Sequence, residues 1–172
     1  MDIYVTQKEG SRGLLTYNNL TFDCALGKSG VTPAKREGDH ASPEGRFALR
    51  KLLYRADKVA KPETILPAQA IDRNDGWCDD PGHEAYNRPV RLPFAARHET
   101  LWREDELYDL VVVLGHNDDP VVKGAGSCIF MHVARGDYGP TEGCIALEKA
   151  DLLKLLAAIE GDTAIHIATS QG

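Results

Sequence analysis

The segment Met131–Leu147, MHVARGDYGPTEGCIAL, contains a histidine and a cysteine with eleven residues between them. A histidine beside a cysteine takes the thiol proton, and the resulting thiolate attacks acyl groups. Glycines in the loop between them allow backbone N–H groups to point at the oxyanion that forms during such an attack. The segment therefore predicts an acyl-transfer site in which Cys144 is the nucleophile and His132 is the base. Thr141 and Gly143 would form the site loop and its oxyanion donors.

Two other interpretations of this segment remain open from the residues alone. In the first, Cys144 is a small buried hydrophobe and His132 is a hydrogen-bonded residue of the core. In the second, Cys128, His132 and Cys144 bind a metal ion. Residues 128 and 132 would lie roughly 13 Å apart along one strand, whereas zinc needs ligands at about 2.0–2.3 Å. The spacing therefore disfavours a metal site, and no metal or cofactor is predicted.

The elements around the pair are predicted from short apolar runs. Tyr108–Leu114 and Ser127–Val133 are rich in β-forming residues and predict two buried strands. Because side chains alternate along a strand, His132 shares a face with Cys128 and Phe130. Apolar residues at i, i+3, i+4 and i+7 predict one helix over Glu148–Glu160. A cysteine just before that helix would lie near its positive end, which favours the thiolate.

The rest of the chain predicts further strands and long loops. The pair Asn18-Asn19 separates two short apolar runs and predicts a hairpin turn, because asparagine tolerates positive φ. A strand is expected from Arg46 to about Tyr54, and another over Ala164–Ala168. Residues 60–103 show no periodicity and are expected to form surface loops with at most a short helix. The prediction is a mostly-β (β-rich α+β) single domain over residues 1–172.

Composition narrows the possible classes of function. The chain of 172 residues carries a net charge of −6, which disfavours non-specific nucleic-acid binding because such binding needs a basic surface. No apolar run approaches the roughly 20 residues of a membrane-spanning helix, so no membrane span is expected. The four cysteines show no paired spacing, and a disulfide framework is not expected. The first residues do not resemble a secretory signal, so the expectation is a cytoplasmic location, another export route or a leader that is not in this chain.

Several stretches together resemble the L,D-transpeptidase catalytic domain (YkuD-like) family. The element His132 to Cys144 resembles the family signature of a histidine, a glycine-containing loop, then Ser or Thr, one residue, Gly and the nucleophilic Cys. The stretch Thr32–Leu49, TPAKREGDHASPEGRFAL, resembles a second stretch common in the family. YNRPVRLP (Tyr86–Pro93) and LWREDELYDLVVVLGHN (Leu101–Asn117) resemble a compact proteobacterial branch. The resemblance implies a β-sandwich with one clear helix after the catalytic cysteine and long loops.

The resemblance also implies a reaction and a cellular setting. Cys144 would form an acyl-enzyme with a peptidoglycan stem peptide, and His132 would act as base and then as acid. The amine of a neighbouring diaminopimelate would resolve the acyl-enzyme into a 3–3 or 1–3 cross-link, as in cell wall biogenesis and the control of cell shape. The thiol would also be carbapenem-sensitive. Alternatives are an L,D-carboxypeptidase or hydrolase on the same stem peptides, and a non-catalytic peptidoglycan-binding module. The family works in the periplasm or cell envelope, and the cytoplasm is the alternative.

Glu142 departs from the family pattern, because many members have histidine at this position. A carboxylate there would raise the thiol pKa, so its expected use is to attract the ammonium of the acceptor. His116 is expected beside His132 if the two buried strands pair. The candidates for substrate binding are Arg46, His116, Arg135, Tyr138 and Glu142.

Overall fold

The computed structural model describes residues 1–170, so the last two residues of the predicted domain 1–172 lie outside the described residues. It contains one α-helix, α1, at Lys149–Ala158. The strands are β1 Ile3–Glu9, β2 Arg12–Tyr17, β3 Leu20–Ala25, β4 Val31–Thr32, β5 Ser42–Pro43, β6 Gly45–Tyr54, β7 Ala68–Ala70, β8 Asp75–Cys78, β9 Pro89–Arg91, β10 His98–Thr100, β11 Leu110–Leu114, β12 Phe130–Val133, β13 Ile145–Leu147 and β14 Ala164–Ala168. The predicted mostly-β class with one clear helix is confirmed.

The main sheet has nine strands in the order β11-β12-β13-β3-β2-β1-β14-β6-β7. Strand β6 also pairs with β11, which closes the sheet on itself. The predicted hairpin joins β2 to β3, and Asn18 has the expected positive φ of +51°. Strands β6 and β14 form where the sequence predicts them. No helix among residues 1–170 is long and apolar enough to cross a membrane.

The main core lies between this sheet and α1. Leu152, Leu155 and Leu156 form the buried face of the helix, as their spacing predicts. They pack with alternate side chains of the strands, including Ile3, Leu15 and Met131. Burying these apolar side chains stabilises the sheet that carries the site segment, because each contributes about 1.5–3 kcal/mol.

A three-stranded sheet, in the order β10-β8-β9, occupies the region that the sequence predicts to be loops. The expectation of long surface loops over residues 60–103 therefore misses the short strands that these loops connect. Strands of three or four residues are too short to show an alternating pattern, which explains the error. Trp77 of β8 packs edge-on against Phe130 of β12 with ring centroids 5.1 Å apart. This small sheet therefore covers the face of the main sheet on which His132 lies.

Two local corrections concern the site segment. Strand β12 begins at Phe130 instead of Ser127, because Cys128 has a positive φ of +56° that ordinary strand geometry does not permit. Cys144 leads into strand β13, and the helix begins only at Lys149. The electrostatic influence of a helix end is confined to its first turn. The predicted stabilisation of a Cys144 thiolate by the helix N-terminus is therefore wrong.

Candidate active site

The parallel pairing of β12 with β13 places Cys144 and His132 on one face of the sheet. His132 is paired with Ala146, and Cys144 lies two residues before Ala146. With strands about 4.8 Å apart and a rise of about 3.3 Å per residue, the Cα atoms of the two residues are about 8 Å apart on the diagonal. Both side chains line a cavity of about 120 Å³. The structure thus brings together the thiol and the imidazole that the sequence predicts to react.

The Cys144 thiol is held by the chain segment that precedes β12. Its Sγ donates to the carbonyl oxygen of Cys128 at 3.1 Å and accepts from the Phe130 N–H at 3.4 Å. Burial raises the pKa of this thiol to about 12, and the nearby Glu99 carboxyl adds to the rise. The Cys144 thiol is therefore neutral at rest.

The His132 ring is buried and oriented by the main chain. Its Nδ1 donates to the Val133 carbonyl oxygen at 2.8 Å, so Nε2 is the nitrogen that accepts a proton. Burial lowers the pKa of His132 to about 4, and the cations Arg103 and Arg135 act in the same direction. Thiol and imidazole are therefore both neutral at rest, which differs from the expected thiolate beside a histidine.

Thr141 fixes the turn that leads into Cys144. Its Oγ1 accepts from the Gly143 N–H at 3.1 Å and donates to the Cys144 carbonyl oxygen at 2.7 Å. Its backbone N–H and C=O bond to the backbone of Leu26 and Lys28. The Gly143 N–H is already bonded to Thr141. It is therefore not free to stabilise an oxyanion, contrary to the prediction. The structure records no hydrogen bond from the Cys144 amide to any residue between 1 and 170, so this amide is the available donor.

Gly143 is required by its backbone conformation and by its surroundings. Its φ is +141°, and a Cβ built on it would lie 2.8 Å from the Ala41 carbonyl oxygen. Replacing Gly143 with alanine is therefore expected to lower the free energy of unfolding by about 1–3 kcal/mol. It should also move Cys144, the next residue, and slow any reaction of its thiol.

Urea denaturation would measure the loss of stability, and Gly136→Ala is the matched control, because a Cβ at Gly136 meets no atom within 4 Å. Equal stability of the two variants would contradict the strain assigned to Gly143.

Cys144 also lines a second, smaller cavity of about 50 Å³. Glu99 and Glu142 border both cavities. The walls specific to this second cavity are Lys35, Glu37, Asp79, Ser127, Cys128 and Ile129. The thiol therefore lies between two recesses with different charge: one has Arg103 and Arg135 beside His132, and the other is mainly acidic with one ammonium.

Sequence reasoning missed Glu99 and did not place Lys35 at the site. Glu99 lies on β10 and accepts a hydrogen bond from the Tyr108 hydroxyl at 2.6 Å. Burial raises the pKa of Glu99 to about 6. The Lys35 side chain is only 8% exposed and forms an ion pair with Asp39. No motif marks Glu99, since it stands in the aperiodic stretch whose short strands the sequence does not reveal.

The predicted substrate-binding residues fall into two groups. Arg135 and Glu142 are exposed and line the cavity that holds Cys144 and His132. Tyr138 does not line it, because its ring packs beneath Arg12 at 4.8 Å from the guanidinium carbon. The candidate role of Tyr138 in binding substrate therefore finds no support in its position.

His116 and Arg46 do not line the cavity that holds Cys144 and His132. In the antiparallel pairing of β11 with β12, Val111 lies opposite His132, so His116 is at the far end of the pair. The expected neighbourhood of His116 and His132 is therefore wrong. Arg46 forms an ion pair with Asp2 at 3.0 Å and lines a separate cavity.

Comparison with known proteins identifies a family and similar solved structures. Residues 3–167 match the family model described as YkuD, L,D-transpeptidase catalytic domain. A search of the curated proteins returns no match. Among solved structures, the chain is similar to L,D-transpeptidase 1 of Mycobacterium tuberculosis, with 12% sequence identity and a TM-score of 0.39. The alignment covers 98% of this chain and 62% of that one, so the chain spans less than two thirds of this solved relative.

Proposed function

The chain belongs to the L,D-transpeptidase catalytic domain family, and we propose that it is a cysteine acyltransferase that forms 3–3 or 1–3 cross-links between peptidoglycan stem peptides. The observation that carries this proposal is the buried pair of Cys144 and His132, which face one cavity from adjacent strands. We further propose that the reaction takes place in the periplasm or cell envelope, with the cytoplasm as the alternative.

The first half of the reaction forms an acyl-enzyme. As the donor carbonyl reaches the thiol, Nε2 of His132 takes the proton from Sγ, and a bond forms between sulfur and the carbonyl carbon. The oxyanion of this intermediate is stabilised by the free N–H of Cys144. The bond from carbon to the amine of the D-residue then breaks. The imidazolium of His132 returns its proton to that amine, which leaves.

The second half transfers the acyl group. The neutral amine of the acceptor attacks the thioester, and His132 takes a proton from the attacking nitrogen. The carbon–sulfur bond breaks, the imidazolium of His132 gives its proton to the sulfur and so restores the thiol of Cys144, and a new amide joins the two stems. If water takes the place of the amine, the product is a carboxylic acid, and the protein acts as an L,D-carboxypeptidase.

The two cavities beside the thiol suit a reaction with two peptide substrates. Arg103 and Arg135 line the His132 side, and their guanidinium groups match peptide carboxylates. Glu99 and Glu142 lie between the two cavities, where carboxylates attract an incoming ammonium. We infer that the donor lies on the His132 side and that the acceptor approaches over Glu142.

Mass spectrometry of purified stem-peptide fragments incubated with the protein tests the proposal. The expected product is a cross-linked dimer that has lost one D-residue. A monomer that lacks the D-residue, with no dimer in the presence of the amine acceptor, would establish the carboxypeptidase instead. A protein that neither cleaves the fragments nor forms a covalent carbapenem adduct would be the non-catalytic binding module.

Replacing Glu142 by glutamine is expected to separate the two halves of the reaction. Its charge raises the pKa of the Cys144 thiol, so removing the charge should leave carbapenem acylation unchanged or slightly faster. Cross-link formation should fall by about 3–10-fold, because the acceptor ammonium loses an attractive charge. Hydrolysis should then take a larger share of the products, as measured by mass spectrometry on one preparation.

A matched control for this variant is Glu44→Gln, since Glu44 is also exposed but lies outside both cavities. It should leave both half-reactions unchanged. Equal losses in acylation and transfer for Glu142→Gln would contradict the acceptor role and point to a general effect on the loop.

A further inference from the structure

Asn87 connects three separate segments around the site through its side-chain amide. Its Oδ1 accepts from the Trp77 indole N–H at 3.0 Å and from the Cys128 backbone N–H at 3.2 Å. Its Nδ2 donates to the carbonyl oxygens of His116 at 3.2 Å and Asn117 at 2.7 Å. The side chain is 5% exposed, so both lone pairs and both N–H groups of the amide are used inside the protein.

Cys128, one of these partners, is the residue whose carbonyl oxygen accepts from the Cys144 thiol. Its left-handed backbone, with φ of +56°, turns this carbonyl out of line with strand β12. That conformation costs a residue other than glycine roughly 1–2 kcal/mol, so neighbouring contacts must maintain it. The hydrogen bond from the Cys128 N–H to Asn87 is such a contact.

We propose that Asn87 is a positioning residue for the nucleophile: through the backbone of Cys128, it fixes the carbonyl oxygen that accepts a hydrogen bond from the resting Cys144 thiol. The inference rests on the proposed function of Cys144 as the nucleophile. It also gives a role to Asn87 within the stretch Tyr86–Pro93, to which the reaction itself assigns no part. Asn87 has φ of +54°, which asparagine tolerates, and its amide alone offers two donors and two acceptor sites in the required directions.

The carbonyl of Cys128 has a definite effect on the thiol. A hydrogen bond to the neutral form of an acid disfavours its charged form, so this contact keeps the thiol protonated until substrate arrives. Phe130, which donates to the same sulfur, is held independently by its pairing with Val113 in the sheet. Loss of Asn87 should therefore release the acceptor and leave the donor in place.

The test is iodoacetamide labelling of Asn87→Ala across a range of pH, with each cysteine followed by peptide mapping. Labelling of Cys144 at pH 8 is expected to be about tenfold faster than in the wild type, because lowering the thiol pKa by about one unit raises the thiolate fraction about tenfold. Carbapenem acylation should be about tenfold slower, because the sulfur is no longer held in one orientation. Cys78, which is fully buried in the same small sheet, should remain unlabelled.

Two further variants separate positioning from loss of stability. Tyr86→Phe removes the hydroxyl that bonds Glu37 and the Gly126 N–H, but leaves the contact of Asn87 with Cys128 intact. It should melt at a lower temperature than the wild type and label Cys144 with the wild-type pH profile. In Asn87→Ala with Cys128→Gly, glycine adopts the left-handed conformation without strain, so labelling should return toward the wild-type profile.

Three outcomes would overturn the proposal. In the first, Cys144 of Asn87→Ala is labelled with the wild-type pH profile. In the second, Cys78 of that variant is labelled as fast as Cys144, and in the third, Cys144 of the double variant is labelled as fast as in Asn87→Ala. Failure of the proposed function has a different signature: the wild type would not be acylated by the carbapenem, while the labelling profiles of the variants would still separate.

Discussion

Replacement of Cys144 by serine is expected to abolish acyl transfer, with a loss of ~10⁴–10⁶-fold in rate. Burial lowers the pKa of His132 to about 4, so its neutral imidazole is a weak base. Such a base can take a proton from a thiol during attack, but an alcohol holds its proton far more tightly. The serine hydroxyl can still bond the Cys128 carbonyl and the Phe130 N–H, so the fold should persist. Intact-mass measurement after carbapenem treatment should show no adduct.

Cys24→Ala is the matched control for this variant. Cys24 is also fully buried and unpaired, but it lies in the main core and lines neither cavity. It should lose some stability and keep its carbapenem adduct. Full cross-linking by Cys144→Ser would contradict the role of Cys144 and would point to another nucleophile.

The predicted pair of site residues was accessible from the sequence because its spacing carries a physical meaning. A strand-forming run ends at Val133, just after His132, and the glycines beyond it allow a tight return to Cys144. These features are local, so they can be read without knowledge of the fold. The family resemblance of Thr141 and Gly143 added the turn that presents the cysteine, and the structure shows how the Thr141 hydroxyl holds that turn.

The remaining parts of the site depend on contacts between distant segments, which one sequence does not reveal. Glu99 borders the thiol because β10 belongs to a small sheet whose strands of three and four residues show no period. Asn87 reaches Cys128 across 41 positions of the chain. His116 was misplaced for a related reason: two strands can pair at several registers, and only the register decides which ends meet.

The protonation states of Cys144 and His132 also could not be predicted from the sequence alone. The sequence places Cys144 shortly before a helix, whereas three residues of strand, Ile145–Leu147, separate it from α1. Burial then governs both groups, raising the pKa of the thiol and lowering that of the imidazole. Under the proposed mechanism, the neutral state keeps the thiol a poor nucleophile until a substrate supplies an acyl carbon.

Replacement of His132 by glutamine is expected to slow carbapenem acylation by ~10²–10⁴-fold, the usual contribution of a general base. The pH dependence of the acylation rate in the wild type should also report the role of His132 as the base. Because burial lowers the pKa of His132 to about 4, its imidazole stays neutral well below the ordinary value near 6.5. The acylation rate should therefore show no fall near pH 6.5 that belongs to His132, and should fall as the pH drops through about 4. Stopped-flow acylation between pH 3.5 and pH 8 would measure this profile.

His166→Gln is the control, because His166 is also a strand histidine with a hydrogen-bonded ring, bound to Asp2 at 2.9 Å, and lines neither cavity at the thiol. Its acylation rate should stay within about twofold of the wild type, as expected for a residue outside the reacting groups. Circular dichroism should show that His132→Gln remains folded, since the glutamine side chain is of similar size and still carries amide N–H donors. A folded His132→Gln that is acylated at the wild-type rate would exclude His132 as the base. Another group beside Cys144 would then have to accept the thiol proton. The first to test would be Glu99, because among residues 1–170 it is the one half-buried carboxyl that borders both cavities.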